Sequence, residues 1–232
     1  TANRLGADRS LTAAPLARSY LMQQKFKSLV ENVQVSGYTP ELQAELLASK
    51  ALALIELNRL RDAQAVLSQA ATLAPRAAEP MIGQALLMLR RGDLDAAGPV
   101  IQQALLLAPD NVHALQVKAS IHHAKGQLTE AIASYSSVIA LRPRNIDARV
   151  ARTGAHIDME NYSDAGADVE FLREQFPYEP RAPYLLSVIL ARQGDIQKSE
   201  AALHTTADML EQLRPEIVAR NHQLLLIGGL SN

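Results

Sequence analysis

The chain has 232 residues, of which 48% are hydrophobic and only 4% aromatic, and it contains neither Trp nor Cys. Its 23 basic residues are balanced by 24 acidic ones, so no basic excess is available to neutralise phosphates and nucleic-acid binding is not expected. The absence of Cys excludes disulfides and thiolate metal sites. No apolar run approaches the roughly 20 residues that a membrane-spanning helix needs.

Two residue columns recur at a fixed period of 34 residues. The first column is proline and the second is alanine, and each alanine lies twelve residues before a proline: Pro75, Pro109, Pro143 and Pro177; Ala63, Ala97, Ala131 and Ala165. Self-similarity at such a period predicts a solenoid built from one repeated supersecondary unit.

The period divides the whole chain, residues 1–232, into the repeats of a single solenoid. We expect full repeats at about 10–43, 44–77, 78–111, 112–145, 146–179 and 180–213, and partial repeats at 1–9 and 214–232. Since both ends fall inside a repeat, we expect the chain to be a fragment of a longer array.

The repeat at 78–111 shows the expected unit most clearly. Apolar residues at three- and four-residue steps over positions 81–89 predict a first helix, which Gly92 ends. Asp93 is placed to cap a second helix. Pro109 stops the pattern, because the residue before a proline is biased out of the α region. In the other repeats the turn position holds Gly126 and Gly194, with Asn58 and Glu160 as departures.

These columns resemble the tetratricopeptide repeat (TPR), most strongly in "RRGDLDAAGPVIQQALLLAPDN" and "AKGQLTEAIASYSSVIALRPRN". The resemblance implies an all-α TPR-type α-solenoid, a right-handed superhelix of antiparallel helix pairs. The usual Trp of the first helix is replaced by Leu47, Met81, Leu115, Arg149 and Pro183. Because Arg and Pro are poor core residues, we expect the first helices of the last two of these repeats to be shifted or to start late.

The sequence offers little catalytic chemistry. His122 and His156 occupy one column, but no further ligands complete a zinc site, so we interpret them as partly buried or groove-lining imidazoles. GxSxG elbows and glycine-rich phosphate loops are absent. We therefore expect no catalytic, cofactor-binding or metal-binding residues, no cofactor and no enzymatic activity.

In such arrays the concave groove is lined by the first helices. One half of the predicted groove is apolar with carboxylates, and the other is polar with Arg. An extended peptide, a partner helix or a glycan would suit it, and the same residues would equally suit plain solvated surface. The candidate groove residues are Glu56, Glu79, Leu86, Arg90, His113, Gln116, His123, Asp158, Arg181, Tyr184 and Arg192.

A closer resemblance is to the PrsT-type TPR lipoproteins of bacterial exopolysaccharide export and exosortase (PEP-CTERM) systems. It lies in "LGADRSLTAAPLARSYLMQQKFKSLVENV", "ELQAELLASKALALIELNRLRDAQAVL" and "LRPEIVARNHQLLLIGGLSN". It implies a non-catalytic protein-interaction scaffold, periplasmic or associated with the outer membrane, that binds a protein or peptide. The alternative is a regulatory or substrate-presenting TPR arm of a larger enzyme such as a glycosyltransferase.

The segment 214–232 is predicted to be a first helix without a partner helix. Its apolar face at positions 224–227 would then be uncovered. We expect this face to contact a second copy of the chain or another protein.

Overall fold

The structure is a computed structural model that describes residues 9–213, and within these residues it contains helices and no strand. The expected partial repeats at both ends, with the unpartnered helix at 214–232, lie outside the described residues, apart from Arg9. No helix of the described part is long and apolar enough to cross a membrane. The helices are α1 Arg9–Met22, α2 Phe26–Asn32, α3 Pro40–Glu56, α4 Leu60–Leu73, α5 Ala78–Arg91, α6 Leu94–Leu107, α7 Val112–Ala124, α8 Leu128–Leu141, α9 Ile146–Asp158, α10 Tyr162–Gln175, α11 Arg181–Arg192 and α12 Ile196–Gln212.

The chain divides into two compact units between Lys125 and Gly126. In unit 1, α3 packs against α4 and α5 packs against α6. In unit 2, α9 packs against α10 and α11 packs against α12. Each pair consists of a first and a second helix joined by a short turn, which confirms the predicted all-α architecture of helix pairs.

The turn inside each helix pair is made by a residue in the left-handed backbone region. The positive φ angles recur every 34 residues, whether or not the residue is glycine: Gln24 at 53°, Asn58 at 57°, Gly92 at 83°, Gly126 at 72°, Glu160 at 59° and Gly194 at 84°. Glycine adopts this region without a Cβ penalty, whereas the other residues are held there by the packed helices on either side. Asn58 and Glu160 therefore make the same left-handed turn as the glycines of this column, although neither is a glycine.

Polar side chains cap three of the first helices, and on α3 the hydroxyl of Thr39 accepts a hydrogen bond from the backbone N–H of Leu42 at 3.4 Å. The side chains of Asn111 and Asn145 accept hydrogen bonds from the backbone N–H groups of Ala114 and Ala148, at 3.1 and 2.9 Å. This satisfies an otherwise orphaned donor in each first turn. Asp93 precedes α6 as predicted, but its side chain makes no capping hydrogen bond.

The core of each helix pair joins small residues to bulky ones. The four alanines of the repeating column are fully buried, as are Leu67 and Leu172. Among the described glycines, Gly83 of α5 has the tightest surroundings, since a Cβ atom there would lie 2.6 Å from Cδ2 of Leu67 on α4. This backbone-to-side-chain contact explains a residue without a side chain in the middle of a helix.

The expected displacement of the later first helices is wrong for α9. This helix begins at Ile146, 34 residues after Val112 begins α7. Arg149 is buried in place rather than excluded, because its Nη1 donates to Oδ1 of Asp168 at 2.7 Å and its guanidinium lies 3.5 Å from the centroid of Phe171. By contrast, α11 begins at Arg181, one residue after the frame position.

Candidate functional site

The first helices of consecutive repeats contact one another within each unit. In unit 1 α1 contacts α3, α3 contacts α5 and α5 contacts α7, while in unit 2 α9 contacts α11. The predicted groove residues all lie on α3, α5, α7, α9 and α11. In each unit separately, we call the surface that carries the predicted groove residues of that unit its first-helix face.

In unit 1 the first-helix face combines an apolar floor with ion pairs between neighbouring helices. Leu86 of α5 is half-buried and packs against the cores on both sides of its helix. Nη2 of Arg90 lies 2.7 Å from Oε1 of Glu56, which stands one repeat earlier in the same column. Both side chains of this pair remain substantially exposed, at 46% and 38%. The structure therefore brings Glu56 and Arg90 together across α3 and α5.

Polar side chains follow on α7. His113, Gln116 and His123 are half-buried, and Glu79 of the preceding first helix is exposed. Burial lowers the pKa of His113, so its imidazole is neutral at physiological pH. A neutral imidazole can donate and accept a hydrogen bond without adding charge to this part of the face.

In unit 2 the predicted arginine Arg181 is buried, with a side chain that is 8% exposed. Its guanidinium donates to Oε1 of Glu179 at 2.7 Å and to Oδ1 of Asp147 at 2.8 Å. Burial by itself disfavours the charged form, but the bonds and charges of these two carboxylates outweigh it and raise the pKa of Arg181. Its donors therefore hold α9 and α11 together.

The other predicted residues of unit 2 are more accessible. Tyr184 is half-buried and packs against the core of α9 to α11. Asp158 and Arg192 are exposed, at the ends of α9 and α11. An exposed guanidinium at the end of a first helix can meet a partner's carboxylate.

The histidines do not form a metal centre in the described part of the chain, where no group of three or more His, Asp and Glu side chains could hold an ion. His156 is buried, and its Nδ1 atom has no hydrogen-bond partner. Desolvation lowers the pKa of this imidazole, partly opposed by the charge of Asp164. His156 is thus a neutral core residue of α9.

Two sets of contacts were missed by reasoning from the sequence. Arg18 of α1 reaches Oε1 of Glu45 at 2.7 Å, a pair that extends the charged edge of the face by one repeat. In unit 2, Arg152 donates to both oxygens of Asp168 and to the hydroxyl of Ser136. Projecting the 34-residue columns onto α1 would have placed Arg18 on this surface.

The tetratricopeptide repeat family model matches residues 49–111, 82–146 and 155–208 of the chain. A solved TPR protein from Parabacteroides merdae is 16% identical, with a TM-score of 0.63 over 99% of this chain and 88% of that one. YrrB, described as a TPR protein with an unusual peptide-binding site, is 18% identical, with a TM-score of 0.57 over 88% and 97% of the two chains. TTC0263, a thermophilic TPR protein from Thermus thermophilus, is 14% identical, with a TM-score of 0.64 over 81% and 98%. No curated protein sequence matches significantly.

Proposed function

Since this chain belongs to the tetratricopeptide repeat family, whose members are generally protein-interaction scaffolds, we propose that it binds a protein or peptide partner on the first-helix face. The observation that carries this proposal is the continuous contact of first helices in unit 1. Along α5, the half-buried Leu86 lies between the exposed Glu79 and Arg90, and Arg90 pairs with Glu56 of the neighbouring first helix α3. An apolar floor with a charged edge suits a segment that buries apolar side chains and pairs its charges at the rim.

The biological setting we propose is exopolysaccharide export or protein sorting in a bacterial envelope, in the periplasm or at the outer membrane. It is supported by the resemblance of three segments to PrsT-type TPR proteins. Loss of the gene should then block export while polymer synthesis continues. If synthesis itself stopped, the chain would instead serve as the arm of a polymerising enzyme.

The binding surface can be tested by site-specific crosslinking. A photoreactive residue in place of Glu79 on α5 should crosslink a protein in cells of the source organism, and one in place of Leu106 on the second helix α6 should not. Leu106 is the appropriate control because it is also exposed, at 74%, but lies off the face. Equal crosslinking at both positions would show that the first-helix face has no special role.

The identified partner then permits a quantitative test. Arg90→Glu should weaken its binding by about fivefold to tenfold, because the reversal repels Glu56 and removes a rim cation. Arg61→Glu, a reversal at an exposed arginine of α4, should leave the dissociation constant unchanged. Titration calorimetry on both variants measures the difference, and equal losses would move the binding surface elsewhere.

A further inference from the structure

Unit 2 carries a cluster of exposed arginines and aromatic side chains at two of the turns that connect its helices. It is formed by the turn between α8 and α9, residues 142–145, and the turn between α10 and α11, residues 176–179. The guanidinium of Arg144 lies 5.2 Å from the ring centroid of Phe176, which joins the two turns. We call the surface of Arg142, Arg144, Phe176 and Tyr178 the turn patch.

The two turns have the same rigid form. The backbone N–H of Asn145 donates to the carbonyl of Arg142 at 2.9 Å, and that of Glu179 donates to the carbonyl of Phe176 at 3.0 Å. Each turn carries a proline at its second position. Arg144 and Tyr178 therefore project from equivalent third positions of two hydrogen-bonded turns, and little backbone entropy is lost when a partner binds them.

The turn patch presents groups that are common at protein interfaces. Tyr178 is 81% exposed, and Arg142 and Arg144 are also exposed. Arginine and tyrosine are enriched among residues that dominate binding energies, because each offers a flat surface together with hydrogen-bond donors. An arginine that stacks on an aromatic ring keeps its outward N–H groups available for a carboxylate.

Two of the carboxylates near these arginines are bound by another guanidinium. Asp147 and Glu179 follow the two turns, and both are bound by the buried Arg181 at 2.8 and 2.7 Å. The exposed carboxylates of Glu170 and Glu174 line a shallow depression of about 310 Å³ together with Phe176, and Glu170 is paired with Arg173 at 3.0 Å. The four residues of the patch itself carry two guanidiniums and no carboxylate, although the chain as a whole carries a net charge of −1.

We propose that the turn patch binds an acidic segment of a protein partner. Two guanidiniums can each take a carboxylate in a bidentate geometry, and Tyr178 offers an apolar face to a neighbouring side chain. A protein segment fits better than a nucleic acid, because two cations on one short patch do not form the extended basic stripe that tracks a phosphate backbone.

The sequence provides a matched control for this patch. Arg76 follows Pro75 in the same column as Arg144 and is exposed. In the turn that follows one repeat later, Ala108 stands at the position equivalent to Phe176 and Asp110 at that of Tyr178. Arg76 thus has the same turn position without the aromatic residues and with an acidic residue in the neighbouring turn.

The test uses the full chain and a fluorescein-labelled peptide of repeated Glu-Phe-Asp, measured by fluorescence anisotropy. Arg144→Glu should weaken binding by about tenfold and Tyr178→Ala by about fivefold, since both belong to the exposed patch. Arg76→Glu and Arg61→Glu, the latter at an exposed arginine of α4, should bind as the unaltered chain does. Raising the salt concentration should also weaken binding. Far-UV circular dichroism checks that the variants remain folded.

Three outcomes would overturn the proposal. If Arg144→Glu and Arg76→Glu lost the same affinity for the peptide, the binding would be general charge attraction and not recognition by the turn patch. Equally tight binding of a peptide with Gln in place of Glu and Asp would show that charge is not recognised. Tighter binding of a single-stranded oligonucleotide, lost in Arg144→Glu, would identify a nucleic-acid site in place of a protein site. If the crosslinking and calorimetry tests of the first-helix face failed, the peptide measurements would still decide whether the turn patch binds an acidic segment.

Discussion

The repeats at 78–111 and 146–179 form the same pair of helices from different chemistry. Residues 81, 84 and 100 of the first repeat are Met, Gln and Val, and the equivalent residues of the second are Arg149, Arg152 and Asp168. The second helices, α6 and α10, nevertheless have equivalent bounds, Leu94–Leu107 and Tyr162–Gln175. The comparison indicates that the helix pair tolerates buried charges when they are introduced together.

The charged core is fully hydrogen-bonded. Arg149 donates to Asp168 and, through Nε and Nη2, to the carbonyl oxygen of Pro143 at 3.1 Å. Arg152 donates to both oxygens of Asp168, at 2.7 and 2.8 Å. Because each buried charge has a partner, the desolvation cost is offset, although such a network is weak evidence of extra stability over an apolar core.

The largest effect is expected from removing the shared acceptor. Asp168→Ala would leave Arg149 and Arg152 without their carboxylate partner in a buried site, and we expect a loss of about 3–5 kcal/mol in the free energy of unfolding. Urea denaturation measures this loss. Asp110→Ala, at an exposed carboxylate, should change stability by less than about 0.5 kcal/mol. A similarly small loss for Asp168→Ala would mean that the ion pairs do not hold the core.

A second variant converts one repeat into the other. The triple substitution Arg149→Met, Arg152→Gln and Asp168→Val copies the residues of the repeat at 78–111. We expect it to be as stable as the unaltered chain or up to about 4 kcal/mol more stable, since apolar replacements of buried ion pairs are often neutral or stabilising. A thioether would also keep a contact with the ring of Phe171. Urea denaturation that shows a loss as large as that of Asp168→Ala would mean that the two cores are not interchangeable.

The comparison also explains what the sequence could predict. The 34-residue columns predicted the helix pairs, the turn positions and the buried alanines, because each of these depends on spacing alone. The column of Arg149 taken alone does not predict that this side chain is buried. The compensating charge comes from Asp168, which lies in a different column. A buried charge can be recognised in a repeat sequence only when both partner columns change together.

In the earliest repeat and in the candidate site, too, the 34-residue columns do not predict features that depend on side-chain packing or conformation. The repeat at 10–43 has no proline in its proline column and has Gln24 in the turn, so its turn was not recognised although its backbone is left-handed at 53°. The 34-residue columns place Glu56 and Arg90 at equivalent positions of neighbouring repeats, where the structure pairs them. They did not predict that Arg181 would be bound by Glu179, two residues earlier, because that contact depends on the side-chain conformation at the start of α11.

The smallest expected effect concerns the turn, where the two repeats have Gly92 and Glu160. Both residues are left-handed, at 83° and 59°, and this conformation costs an L-residue about 1–2 kcal/mol. Glu160→Gly should therefore raise the free energy of unfolding by about 0.5–1 kcal/mol after the added flexibility of the unfolded chain is subtracted. Thermal and urea denaturation measure the change.

Replacing a turn glycine by a residue with a side chain measures the free-energy cost of the positive φ angle by itself. No heavy atom lies within 4 Å of a Cβ atom added at Gly92, so Gly92→Ala should lose about 1 kcal/mol through its positive φ alone. Gly166→Ala is the matched control, because this glycine lies within the helix α10 with equally open space, and alanine there should stabilise by about 0.5–1 kcal/mol. If Gly92→Ala also stabilised the chain, the turn column would not be defined by its backbone conformation. Opposite signs at Gly92 and Gly166, together with a gain at Glu160, would show that the positive φ of the turn determines the effect of a substitution there.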